Sequence, residues 1–218
     1  MVCFMYSIGN KMKQINKLTI LEHSSFFNKR TLERILNINE EALYSNVKRW
    51  LKNGKLIQLK RGCYVTKDYT LRTGNKQGYL EWLANKLKEP SYISMEYVLQ
   101  KYNLLSEAVY SITSVTIKKT DSYVNKLGQF NYYNIKDDQF LGYKIIQNGE
   151  YITKEATLAK ALFDYLYYKI GKLNKINIDL WDDLRINIDD VSKEDKLEFI
   201  KYCEAEGSKK MKQISKII

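Results

Sequence analysis

Proline is nearly absent from this chain: Pro90 is the only one in 218 residues. Few hard breaks interrupt its helices and strands, so boundaries have to be read from apolar spacing and capping residues. Histidine is as scarce. His23 stands alone beside an apolar helix end, with no carboxylate or cysteine at a catalytic or metal-ligand spacing, and a structural role is expected of it. Cys3, Cys63 and Cys203 are odd in number, far apart and without a CxxC or Cys/His grouping. That pattern argues against a disulfide framework and a zinc site, and the three read as reduced thiols. Long apolar runs are missing too. Nothing approaches the roughly twenty residues that a membrane-spanning helix needs. Residues 1–6 are apolar only briefly before Ser7, Gly9 and Lys11, too short for a signal h-region and without a basic n-region, so the expected location is the cytoplasm, with no membrane partner.

Catalytic signatures are also lacking. There is no Walker loop, no GxGxxG and no HExxH. The acidic pairs Asp137-Asp138, Asp182-Asp183 and Asp189-Asp190 consist of adjacent carboxylates, which point in different directions on a strand or helix and read as turn or N-cap residues. The expectation is a protein that is not an enzyme, with no catalytic residue, cofactor or metal. A nuclease is the alternative from another class, and it lacks a recognisable metal-binding cluster.

What is present is a globular composition, 44% hydrophobic and 13% aromatic, with a net charge of +11. The charge is unevenly spread. Residues 1–72 hold 14 Lys and Arg against 5 Asp and Glu, residues 73–170 hold 12 against 10, and residues 171–218 hold 10 against 10. A generally lysine-rich composition would spread the excess evenly, so a surplus confined to the first third points to a surface for a polyanion.

Apolar spacing in Ile15, Leu18 and Leu21 predicts a first helix ending near Ser24-Ser25. Asn28 is placed to cap a second helix through Leu32, Ile35 and Leu36, and Asn39 a third that continues to about Lys52 and stops at Asn53-Gly54. From Lys55 to Val65 the pattern gives two short strands around a tight Lys60-Arg61-Gly62 turn. Three helices followed by a basic hairpin is the order of a winged helix-turn-helix. Residues 66–78, with Gly74 and Gly78, read as a linker. The rest is expected to be α+β: a helix over 79–88, strands at 92–94, 112–117, 130–135 and 143–146, helices over 95–102 and 156–170, and a mainly helical stretch from Asp179 to the basic end at Lys209-Lys210-Met211-Lys212. The expected fold class is therefore α+β, with a winged helix-turn-helix domain over residues 1–72 and an α+β domain with a helical C-terminus over residues 79–218.

Projected at 100° per residue, the third helix carries Leu43, Val47, Trp50 and Leu51 on one arc, and Glu41, Ser45, Lys48, Arg49 and Lys52 on the opposite side. In a helix-turn-helix the start of the recognition helix reaches base edges. Tyr44, Ser45 and Lys48 are thus expected to read bases of a double-stranded operator, and Arg49 and Lys52 to hold phosphates. Lys60 and Arg61 at the hairpin tip add two cations for the backbone. Tyr165, Tyr167 and Tyr168 are expected to be partly core and partly an interaction surface.

Several of these segments, taken in order, resemble the AbiEi antitoxins of type IV, abortive-infection toxin-antitoxin systems, which act in phage defence. The segments are Gly54-Lys55-Leu56-Ile57-Gln58-Leu59-Lys60-Arg61-Gly62-Cys63-Tyr64, then Tyr92-Ile93-Ser94 leading toward Tyr102-Asn103-Leu104, then residues 113–119, then residues 156–167. The similarity covers about residues 15–170. The family often shows a Pro-Glu-Lys-Ala-Leu-x-Asp run; this chain keeps Lys160, Ala161, Leu162 and Asp164 but has Leu158 and Ala159 for Pro and Glu. The resemblance implies a winged-helix transcriptional repressor of its own operon and a second part that neutralises a nucleotidyltransferase-like toxin encoded alongside; residues 79–218 are also expected to self-associate, giving a homo-oligomer on DNA. Lys160 and Asp164, one helical turn apart, are expected to form an ion pair or to meet a partner. The alternative is a stand-alone winged-helix regulator whose second domain senses a ligand or dimerises.

Overall fold

The computed structural model describes residues 18–172 and 176–218. The readings made for residues 1–6, Cys3 and Ile15 fall outside these. The fold is mixed α+β, with one three-stranded and one six-stranded sheet. Contacts divide the chain into two units, Met1–Lys76 with Val124–Leu127, and Gln77–Tyr123 with Gly128–Ile218.

In the first unit Ile20–His23 form a turn of 3-10 helix, on which Leu21 is buried and His23 is exposed. The structural role expected of His23 therefore finds no support in burial. Helix α1 (Lys29–Leu36) starts where Asn28 Oδ1 accepts a hydrogen bond from the Thr31 amide at 3.0 Å, satisfying one of the donors that a helix start leaves open. It stops at Asn37, whose φ of 50° is the left-handed conformation that asparagine tolerates better than most residues. Helix α2 (Glu40–Lys52) repeats the device, with Asn39 Oδ1 accepting from the Ala42 amide at 2.8 Å. Strands β2 (Leu56–Lys60) and β3 (Cys63–Thr66) pair antiparallel. Their turn needs Gly62, whose φ is 74°. A two-residue strand the sequence did not announce, β1 (Phe27–Asn28), pairs with the far side of β3.

Leu21, Phe27, Leu32, Leu36, Leu43, Trp50 and Leu56 fill the core of this unit. Each fully buried large apolar side chain contributes about 1.5–3 kcal/mol, and the cluster fixes which side of α2 faces inward. Residues 66–78, expected as a linker, contain the division between the two units at Lys76 and Gln77, and much of the stretch is helical. Thr66 Oγ1 accepts from the Tyr69 amide at 3.2 Å and starts α3 (Lys67–Arg72), and α4 (Lys76–Leu87) follows closely. The polar composition that suggested a linker is that of a short, exposed helix.

In the second unit the six strands run in the order β6-β7-β5-β4-β9-β8. They are β4 (Ser91–Ile93), β5 (Ser111–Thr116), β6 (Asp121–Asn125), β7 (Gly128–Asn134), β8 (Tyr143–Asn148) and β9 (Tyr151–Ala156). Four of these follow the sequence reading; β6 and β9 were not foreseen. The remaining helices are α5 (Glu96–Lys101), α6 (Leu158–Lys169), α7 (Leu180–Asp183), α8 (Lys193–Glu206) and α9 (Lys209–Ile214). The register sets Ile93, Ser114 and Tyr132 in one row, and Tyr92, Val115 and Tyr133 in the next. Adjacent rows face opposite sides of a sheet. Accordingly the Tyr132 hydroxyl donates to the Ala84 carbonyl of α4 at 2.7 Å, while Tyr92 reaches Asp164 of α6 on the other face. The acidic pairs Asp137-Asp138, Asp182-Asp183 and Asp189-Asp190 lie in short helical turns.

Candidate nucleic-acid interface

Helix α2 is held by its inner face. Leu43, Val47 and Trp50 are buried, and so is Asn46, which the apolar pattern could not flag. The opposite face is open: Glu41, Tyr44, Ser45, Lys48 and Lys52 are all exposed, Tyr44 at 68%. A large aromatic at that exposure on a polar face contributes nothing to its own core and is available to a partner. Arg49 stands at the edge of the stripe. It is half-buried, and its guanidinium donates to Asn46 Oδ1, which commits one of its five donors and leaves the others.

The hairpin supplies the remaining two predicted residues. Lys60 is half-buried and Arg61 exposed. Between Gln58 and Lys60 the pairing slips, so that Lys60 faces Cys63 across the turn. The Gly62 carbonyl accepts from the Lys29 amide at 3.0 Å. The turn is thus fastened to the first residue of α1. All seven residues expected at the interface, Tyr44, Ser45, Lys48, Arg49, Lys52, Lys60 and Arg61, belong to the first unit.

Two groups of charges elsewhere on this unit are paired. Lys29 pairs with Glu40 and stands 3.7 Å from Glu33, and Arg72 meets Glu22 at 2.6 Å. The hydrogen bond with Glu40 lifts the Lys29 ammonium above its usual range, and the same bond lowers the Glu40 carboxyl. Cys63 beneath the turn is buried, and burial raises its thiol despite the opposing charge of Lys60.

The second unit holds four charged groups inside, Glu81, Glu155, Lys160 and Asp164. Lys160 and Asp164 on α6 are both fully buried and meet at 2.7 Å, so the i,i+4 pair expected from sequence is an internal one. Ser94 and Tyr92 donate to the other oxygen of Asp164 at 2.7 and 2.9 Å. Burial pushes the Asp164 carboxyl up and the Lys160 ammonium down, each resisted by the attraction of the other. A second cluster has no sequence signal at all. Lys101 of α5 meets Glu155 of β9 at 2.7 Å and Glu81 of α4 at 3.7 Å, while the Tyr97 hydroxyl donates to Glu81 at 2.7 Å. Both carboxylates are nearly inaccessible. Of the tyrosines on α6, Tyr165 is buried, and Tyr168 is exposed against Tyr133.

Among the described residues no group of three or more His, Cys, Asp or Glu is arranged to hold a metal ion, and no helix is long and apolar enough to cross a membrane. No family model matches the chain, and no curated protein shows significant similarity to it.

Proposed function

We propose that the first unit is a winged helix-turn-helix that binds double-stranded operator DNA, and that the chain is an AbiEi-type antitoxin. In this reading it represses its own operon and neutralises a nucleotidyltransferase-like toxin encoded alongside. The observation that carries the DNA-binding half is the exposed stripe of α2, whose cations form no ion pair among the described residues while its inner face is anchored in a core. Helix α2 then enters the major groove, Tyr44, Ser45 and Lys48 approach base edges, and Arg49 and Lys52 hold phosphates. The hairpin of β2 and β3 is the wing, with Lys60 and Arg61 on the adjacent backbone. What supports the antitoxin half is the ordered sequence resemblance over about residues 15–170.

Gel-shift titration of the full chain on its own promoter, at several salt concentrations, tests the first half; co-expression with the neighbouring reading frame and measurement of growth tests the second. Binding of the promoter in preference to scrambled duplex, with rescue of growth, is the expected result. Promoter binding without rescue favours the second reading, a stand-alone regulator with a ligand-sensing second unit. A cleft of about 470 Å³ lined by Trp82, Asn85, Ile145, Ile152 and Lys154 speaks for that alternative, since it falls in the size range of small-molecule sites.

A further inference from the structure

The base and phosphate contacts proposed above leave one exposed residue of the α2 stripe without a task. Glu41 is exposed in the first turn, one helical turn ahead of Ser45 and two ahead of Lys48 on the same line. Its neighbour Glu40 is taken by Lys29. Among the described residues no ion pair holds Glu41. A bare carboxylate is repelled by phosphates, so on a surface that runs along DNA backbone it weakens binding. The start of a recognition helix, however, faces base edges rather than phosphates. There a carboxylate finds favourable partners only where a base presents a donor.

In the major groove guanine and thymine offer acceptors, O6 with N7 and O4, and these reject a carboxylate. Adenine offers N6 but sets the N7 acceptor beside it. Cytosine offers its N4 amino group next to an apolar C5–H edge, and it is the base a glutamate reads best. Resting on the DNA-binding reading above, we infer that Glu41 is a specificity-determining residue of α2 that selects a cytosine within the site contacted by the first turn. Its negative charge works by exclusion as much as by attraction, since any other base at that position leaves the carboxylate facing an acceptor.

The test is selection of duplexes from a library with a randomised core by the full chain, by Glu41→Gln and by Glu41→Ala, with thermal melting of each. The parent is expected to enrich one invariant cytosine, discriminated by about ten- to a hundredfold. Glu41→Gln should move that position toward adenine, which an amide reads through N6 and N7, and Glu41→Ala should leave it without preference while the rest of the motif survives. Both variants should melt like the parent. Tighter binding of every duplex by Glu41→Ala, with the enriched motif unchanged, would make Glu41 a merely repulsive surface charge and overturn the inference. A parent chain that enriches no sequence would remove the DNA-binding reading as well, so the two failures are distinguishable.

Discussion

The two units differ in what they admit to their interiors. In the first, the core is apolar and the cations of α2 and the hairpin turn lie at the surface. In the second, Lys160, Asp164, Glu81 and Glu155 are buried against one another and against tyrosine hydroxyls. Lysine on one face of a helix is therefore a poor guide to role until its surroundings are known. An exposed lysine contributes little to stability and keeps its charge for a partner. A buried one needs a counter-charge, and the pair becomes part of the framework.

The sharpest way to break that contrast is to remove one member of the buried pair. Asp164→Ala strips Lys160, Tyr92 and Ser94 of their acceptor and leaves an uncompensated ammonium in the interior, with an expected loss of about 3–5 kcal/mol in denaturant unfolding. Replacing both members, as in Lys160→Met with Asp164→Leu, should recover much of that loss, because no charge is then left behind. A double variant no better than the single one would show that the hydrogen bonds to Tyr92 and Ser94 matter more than the charges.

On the first unit the corresponding changes should spare stability and alter binding. If the first unit binds DNA as proposed, Lys48→Ala reduces its preference for one duplex sequence by about 1–3 kcal/mol. The pair Lys60→Ala with Arg61→Ala should weaken all duplexes alike and flatten the salt dependence by roughly 0.9 log unit per phosphate contact. Trp50→Ala is the control, since it opens a cavity in the core and should unfold the unit rather than retune recognition. An unchanged salt slope in the hairpin variant would make the hairpin a solvated turn rather than the proposed wing.

A subtler comparison uses pH. Burial raises the Glu155 carboxyl, with the hydrogen bond from Lys101 opposing the shift. A carboxyl raised in the folded state contributes stability below its unfolded value, near 4.3, and loses it as pH rises through the folded value. Without Lys101 nothing opposes the shift. Lys101→Met should therefore be least damaging in mild acid, where Glu155 is neutral, and progressively more damaging toward neutrality. Denaturation midpoints of parent and variant between about pH 4 and pH 7 measure this; a deficit independent of pH would mean that Lys101 acts through packing alone.

The smallest effect expected is chemical rather than energetic. Burial pushes the Cys203 thiol up to about 12 and raises Cys63, so neither presents thiolate at neutral pH. Alkylation mapped by mass spectrometry should leave both unlabelled until denaturant is added. Labelling of Cys63 in native protein would mean that the hairpin opens.

Legibility followed the range of the interactions. Helices α1 and α2 were readable because their caps, Asn28 and Asn39, bond to amides three residues away, and the hairpin because Gly62 marks its own turn. Strand β9 was not readable. Its sequence Tyr-Ile-Thr-Lys-Glu-Ala places a charge where a core strand should be apolar, and Glu155 is buried only because Lys101 arrives from α5. Strand β1 is two residues long and exists because β3 offers it an edge. The Asn28 and Asn39 caps, the apolar arc of α2 and the concentration of cations in the first third are properties of neighbouring residues, decided by local bonding and by spacing at 3.6 residues per turn. Which lysines stay at the surface and which are drawn inside was decided only by tertiary structure, because burial of a charge depends on a counter-charge delivered from elsewhere in the chain.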